Sequence, residues 1–158
     1  MKIKLYLAQH GEAKTKDQDQ DRSLTDKGTK DSEKTAYFAS EQAHISVKAI
    51  FHSGKTRSKE TAEIMEAYLF PPKGMIPKED LSPNDNPKIW ANLLSQGQED
   101  IMVVGHLPHL SKLASLLLTK SDKKVPIGFK NSGIICLQRN ENSNWLLSWL
   151  MTPEILGE

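Results

Sequence analysis

Little in this sequence is in excess, and each scarcity closes off a class of protein. A single cysteine, Cys136, leaves no partner for an internal disulfide and cannot build a multi-cysteine zinc site. Neither sign of charge dominates: 21 Lys and Arg stand against 20 Asp and Glu, a net of +1. A chain so balanced, with no basic block, lacks the electrostatic footprint of a nucleic-acid binder. Long apolar runs are missing too. The longest strongly apolar stretch, 113–118, is far too short to cross a bilayer. The opening segment 1–8 is short, alternating and followed at once by polar residues, unlike a signal peptide. No internal repeat or low-complexity segment is present. What remains, 158 residues with 37% hydrophobic and 26% charged, is globular in composition. The expectation is a soluble, cytoplasmic protein of one domain spanning 1–158, with no nucleic-acid or membrane partner.

Hydrophobic spacing then divides the chain. Residues 2–9 alternate as a strand that ends at His10-Gly11. The charged stretch 14–21 has no period and reads as a solvated loop. Thr25 can cap a helix over 26–42, with Gly28 weakening its first turn. A β-branched and aromatic run at 47–52 predicts a second strand. Ala62, Met65 and Leu69 give helical spacing over 57–69, stopped by Phe70-Pro71-Pro72. After a proline-containing connector with room for a short strand near 75–77, Asn86 and Pro87 open another helix. Residues 101–104 form a buried strand ending in Gly105-His106, and the stripe Leu110, Leu113, Ala114, Leu117 and Leu118 predicts the next helix. Two strands, 132–139 and 145–151, close the chain. This alternation predicts an α/β fold, a three-layer α/β/α sandwich on a mostly parallel, mixed sheet. Ligands of such sheets sit at the carboxyl ends of the strands, and three strands end in chemistry: His10, then Ser53 with Arg57, then His106.

A neutral imidazole at a strand end can attack phosphorus. Gly11 is expected to let the chain turn and to leave room for an anion beside the ring. Arg57, in a helix's first turn, combines a guanidinium with unpaired backbone N–H groups, a phosphate site. Arg22 and His106 can close on the remaining oxygens, and Lys55 can face the anion. Taken singly, each has a plain reading as a satisfied or solvated side chain; their order along the chain is what favours function.

The segments 7–13 (Leu-Ala-Gln-His10-Gly-Glu-Ala), 22–25 (Arg-Ser-Leu-Thr) with Gly28, 53–63 (Ser-Gly-Lys-Thr-Arg57-Ser-Lys-Glu-Thr-Ala-Glu) and 103–108 (Val-Val-Gly-His106-Leu-Pro) resemble, in that order, the motifs of the histidine phosphatase superfamily. The resemblance covers most of 2–118 and looks most like the SixA-like phosphohistidine phosphatases. It implies the phosphoglycerate-mutase-like fold without a lid insertion, and His10 as a nucleophile that becomes a transient phosphohistidine. Arg57 and His106 would bind the phosphoryl group, Arg22 would be the branch's additional arginine, and no metal or cofactor is required. The implied partner is a phosphorylated protein, such as a histidine-containing phosphotransfer protein, within signalling. The motif's arginine is Gln9 here, a neutral amide that can donate to phosphate but brings no charge. That departure keeps open a catalytically weak phosphate-binding relative, beside a small-molecule phosphomonoesterase using Glu12 or Asp85 as acid.

Other residues read as structural. His44, His52 and His109 are expected at the surface or in packing, Asp85 in a turn, and the tryptophans in the core or half-buried in the sheet. Gly54-Lys55-Thr56 imitates the end of a nucleotide-binding loop, but Ala49 stands where that motif needs glycine.

Overall fold

The computed structural model describes residues 2–124 and 126–157; Met1 and Glu158, the two ends of the expected domain, lie outside them. Six strands form one sheet: β1 (Ile3–Gln9), β2 (Ile50–His52), β3 (Met75–Pro77), β4 (Ile101–Gly105), β5 (Ile134–Arg139) and β6 (Trp145–Met151). Their order is β3-β2-β4-β1-β5-β6. The first four of that order are mutually parallel, while β5 is antiparallel to β1 and to β6. Helices α1 (Asp26–Tyr37) and α2 (Thr56–Leu69) pack together, as do α3 (Pro87–Gln96) and α4 (His109–Thr119).

Side-chain alternation sends β1 into two cores at once. Tyr6 and Ala8 join Ala36, Ala62 and Met65 beneath α1 and α2, whereas Leu5 and Leu7 join Leu94, Leu110 and Leu113 beneath α3 and α4. This is the three-layer architecture expected. Each such buried leucine is worth roughly 1.5–3 kcal/mol, so β1 anchors both layers. The expected alternation of polar and apolar faces in β1 ends at Lys4, because a central strand is covered on both sides.

Local signals act as expected at two helix starts. Thr25 Oγ1 accepts the Gly28 N–H at 2.9 Å, and Asn86 Oδ1 accepts the Lys88 N–H at 3.0 Å ahead of Pro87. The helix anticipated over 26–42 is α-helical only to Tyr37 and widens into a π turn over Phe38–Gln42. The strand anticipated over 47–52 pairs only from Ile50.

Glycine 28 is where the fold tolerates nothing larger. A Cβ there would lie 2.1 Å from the Glu12 carbonyl oxygen, so α1 can approach the chain leaving β1 only without a side chain at this position. At the far end of the sheet, buried Arg139 donates from Nη1 to the Leu94 and Ser95 carbonyls (2.9 and 2.6 Å) and from Nη2 to that of Gly97 (2.5 Å). A side chain of β5 thereby satisfies the carbonyls that end α3.

Candidate active site

Parallel β2, β4 and β1 are neighbours, so their carboxyl ends emerge side by side. The residues that follow them are Ser53, His106 and His10. The antiparallel β5 begins at the same edge, which brings Asn131 and Ser132 beside β1. Asn131 Nδ2 donates to the His10 carbonyl at 3.0 Å and the Ser132 N–H to the Gln9 carbonyl at 3.0 Å.

The His10 and His106 rings lie with centroids 5.0 Å apart and planes inclined at 51°. His10 Nδ1 lies 2.7 Å from the Gly11 carbonyl oxygen. A carbonyl can only accept, so Nδ1 carries the proton and the Nε2 lone pair is left available. Burial pulls the His10 pKa down to about 4; the Gly11 bond opposes this, and the charges of Arg57 and Arg22 add to it. His106 is buried, with Nε2 2.6 Å from Ser53 Oγ. Its pKa falls to about 3, from burial first and then from His10, Arg57, Lys55 and His109. Both imidazoles are therefore neutral at ordinary pH.

The first turns of α2 organise the rest. Arg57 is its second residue; no side chain caps the helix and no acidic residue lies in its first turn, so the dipole's positive end is left uncompensated. Burial and then the Arg22 charge lower the Arg57 pKa. The next side chains clasp the surrounding segments. Ser58 Oγ accepts the Ser53 N–H (3.2 Å) and donates to the Val104 carbonyl (2.8 Å). Glu60 Oε1 accepts the Leu24 N–H (2.8 Å). Thr61 Oγ1 accepts the Gly11 N–H (2.9 Å) and donates to the Arg57 carbonyl (2.8 Å).

Arg22 and Arg57 thus share one neighbourhood with His10 and His106, and Lys55, exposed at the helix start, acts on His106. Gln9 is buried at the end of β1, its Oε1 without a hydrogen-bond partner among the described residues. Gly11 has a different role from the one expected. A Cβ there would meet Ser32 Oγ at 2.8 Å and the Gly28 carbonyl at 2.9 Å, so its bare side fits against α1 instead of leaving room for an anion. Its N–H is taken by Thr61 and its carbonyl by His10.

The two carboxylates considered as acids each accept a local hydrogen bond. Glu12 Oε1 accepts from the Thr25 hydroxyl (2.9 Å), and Asp85 Oδ2 accepts the Ser82 N–H (2.9 Å), the turn role anticipated for it. His52 and His109 are buried, as packing residues, and His44 is exposed. Among the described residues no three His, Cys, Asp or Glu side chains gather as a metal-ligand set, and no helix is long and apolar enough to cross a membrane. Ser53, singled out in the sequence at a strand end, does stand at the site, against His106. Sequence reasoning passed over Thr61 and Asn131 as individual contributors: Thr61 lay inside a segment it singled out, and nothing in 131–133 marked Asn131.

A mixed six-stranded sheet between paired helices, with this edge, is the fold of the histidine phosphatases and phosphoglycerate mutases. Among solved structures, the protein histidine phosphatase SixA complexed with tungstate is similar at a TM-score of 0.84 and 22% identity, over 98% of this chain and 99% of that one. A phosphoglycerate mutase from Plasmodium falciparum has a TM-score of 0.69 and 19% identity, over 94% of this chain and 90% of that one. A mycobacterial glucosyl-3-phosphoglycerate phosphatase has 0.68 and 13%, over 94% and 98%. No family model and no curated protein sequence matches the chain.

Proposed function

We propose that the chain is a phosphatase of the histidine phosphatase type, acting through a phosphohistidine on His10, with phosphohistidine on a protein as its substrate. The observation that carries this reading is the His10 Nδ1–Gly11 carbonyl bond of 2.7 Å, which fixes the tautomer of a ring that burial keeps neutral and so points the Nε2 lone pair away from Gly11, in the field of two guanidiniums. In the reaction, the Nε2 lone pair forms a bond to phosphorus as the bond to the substrate's imidazole nitrogen breaks. That nitrogen takes a proton from solvent. Water then displaces phosphate from His10 and the neutral imidazole returns. Arg57, Arg22, Lys55 and the N-terminus of α2 offset the charge of the transferring group, and His106 and the Gln9 amide offer hydrogen bonds to its oxygens.

Substrate class follows from which charges act at the site. The charged side chains that act on His10 and His106 are cationic, and Glu12 and Asp85 each accept a local bond, from Thr25 and Ser82. A phosphomonoester needs a proton delivered to its leaving oxygen, whereas an imidazole leaving group accepts one from water. This favours phosphohistidine over a sugar or glycerate phosphate. The SixA structure of the same fold was solved with tungstate, a tetrahedral oxyanion of the kind this cluster of cations fits.

Gln9 supports a second reading, a module that holds phosphorylated protein with little turnover. The test that separates them offers a histidine-phosphorylated carrier and follows phosphate release. Turnover lost by about 10³-fold or more in His10→Ala, with label trapped on His10 of the native chain, supports the enzyme. Tight vanadate binding with no release supports the module, and full activity in His10→Ala overturns the mechanism.

A further inference from the structure

Arg22 belongs to neither a helix nor a strand, yet its position is narrowly defined. It closes a loop of ten residues, 14–23, rich in polar and charged side chains. Its backbone sits at φ 53°, in the left-handed region that an arginine leaves unless something holds it there. Its charge also acts on Arg57, and neither guanidinium forms a salt bridge among the described residues. Like charges drive such a loop outward, so a restraint must oppose them.

The Lys14 N–H to Ser23 carbonyl bond (2.8 Å) closes the base of the loop, and one carboxylate restrains its tip. Asp19 Oδ1 accepts the Asp21 N–H at 3.1 Å, and Oδ2 accepts both the Ser23 N–H at 3.0 Å and the Ser23 hydroxyl. The Asp19 carbonyl accepts the Arg22 N–H at 3.0 Å. The residues on either side of Arg22 are therefore tied to a single side chain. Held this way, Arg22 Nε donates to the Lys14 carbonyl at 3.0 Å, and its terminal nitrogens keep no protein partner among the described residues. The bonds from Ser23, then from Asp21, hold the Asp19 carboxyl below its ordinary range, so it is ionised at neutral pH.

We propose that Asp19 is the positioning residue of Arg22: its carboxylate clamps the 14–23 loop so that the guanidinium is presented to the phosphoryl group against the repulsion of Arg57. This rests on the reading of Arg22 as a phosphoryl ligand. Asp19→Asn tests it, because it keeps the size and the acceptor for Asp21 but sets an amide against the Ser23 N–H. Asp17→Asn is the control, the same change of charge in the same loop at a side chain with no hydrogen bond among the described residues.

Two measurements are made on the intact chain: the Arg22 Nε–H resonance by nitrogen-15 NMR, and the vanadate dissociation constant. In Asp19→Asn the resonance is expected to move to the position of a solvated arginine and vanadate to bind about tenfold more weakly. Asp17→Asn changes neither. With Arg22→Ala already present, Asp19→Asn has no further effect on vanadate, as coupled residues require. Unchanged vanadate affinity in Asp19→Asn, or the same loss with and without Arg22, overturns the proposal. A native chain that ignores vanadate overturns the phosphoryl-site reading instead, while the Nε–H signal still decides whether Asp19 holds Arg22.

Discussion

His10 and His106 meet ring to ring at 5.0 Å, each secured from the outside by a different partner, the Gly11 carbonyl for one and the Ser53 hydroxyl for the other. Burial is the main reason that their pKa values fall to about 4 and about 3; the Arg57 charge lowers both, and at His106 the nearby His10 ring adds to it.

The pH dependence follows in sign. Attack requires neutral His10, so kcat/KM for phosphohistidine is expected to hold from neutrality downward and to fall on the acid side with an apparent pKa near 4. Stability moves the same way. His10, His52, His106 and His109 all titrate lower folded than unfolded, so below about pH 6.5 the unfolded chain takes up more protons. The contribution is complete above that pH and is lost as pH falls through the folded values. Urea midpoints recorded from about pH 7.5 to about pH 4 check this, and His10→Ala should flatten the slope.

Residue 9 is expected to report directly on the anion. Gln9→Arg restores the charge and fork that the histidine phosphatase motif has there, and vanadate affinity should rise about tenfold. An unchanged titration means that this side chain does not face the ligand.

Two glycines should respond differently to alanine. At Gly28 the new methyl meets the Glu12 backbone at 2.1 Å, and Gly28→Ala should cost about 3 kcal/mol or more, overriding the gain of up to about 1 kcal/mol that alanine brings to a helix. At Gly105 the nearest atoms are Leu110 side-chain carbons at 3.1 Å, which can shift, so Gly105→Ala should cost about 1 kcal/mol. Urea denaturation of both variants gives the comparison.

Arg139→Met removes three bonds to the carbonyls ending α3 while keeping an apolar stem. A loss of about 2–4 kcal/mol is expected, with vanadate affinity unchanged because β5 carries Arg139 at the end remote from His10. Denaturation and titration on one sample separate the two effects.

The sequence displayed the strands and helices through spacing, and it displayed His10, Arg57 and His106 through their places at strand ends. It concealed whatever depended on contact between distant segments. Gly28 read as a weak point in a helix because the Glu12 backbone that forbids a side chain there lies sixteen residues earlier. Gly11 read as space for a ligand because nothing local shows α1 lying against it. Asn131 and Thr61 are ordinary polar residues until folding sets them against the His10 carbonyl and the Gly11 N–H. The stretch 14–21 read as a solvated loop because its order comes from a carboxylate folding back on its own chain, which leaves no period.

Helix α2 uses Ser58, Glu60 and Thr61, all within one turn, to grip four segments, at Ser53, Val104, Leu24 and Gly11. Its pocket walls therefore share one fastening. Unwinding of that turn releases every side at once, so hydrogen exchange at the Gly11 and Leu24 amides should slow together when an oxyanion binds, although twelve residues lie between them along the chain.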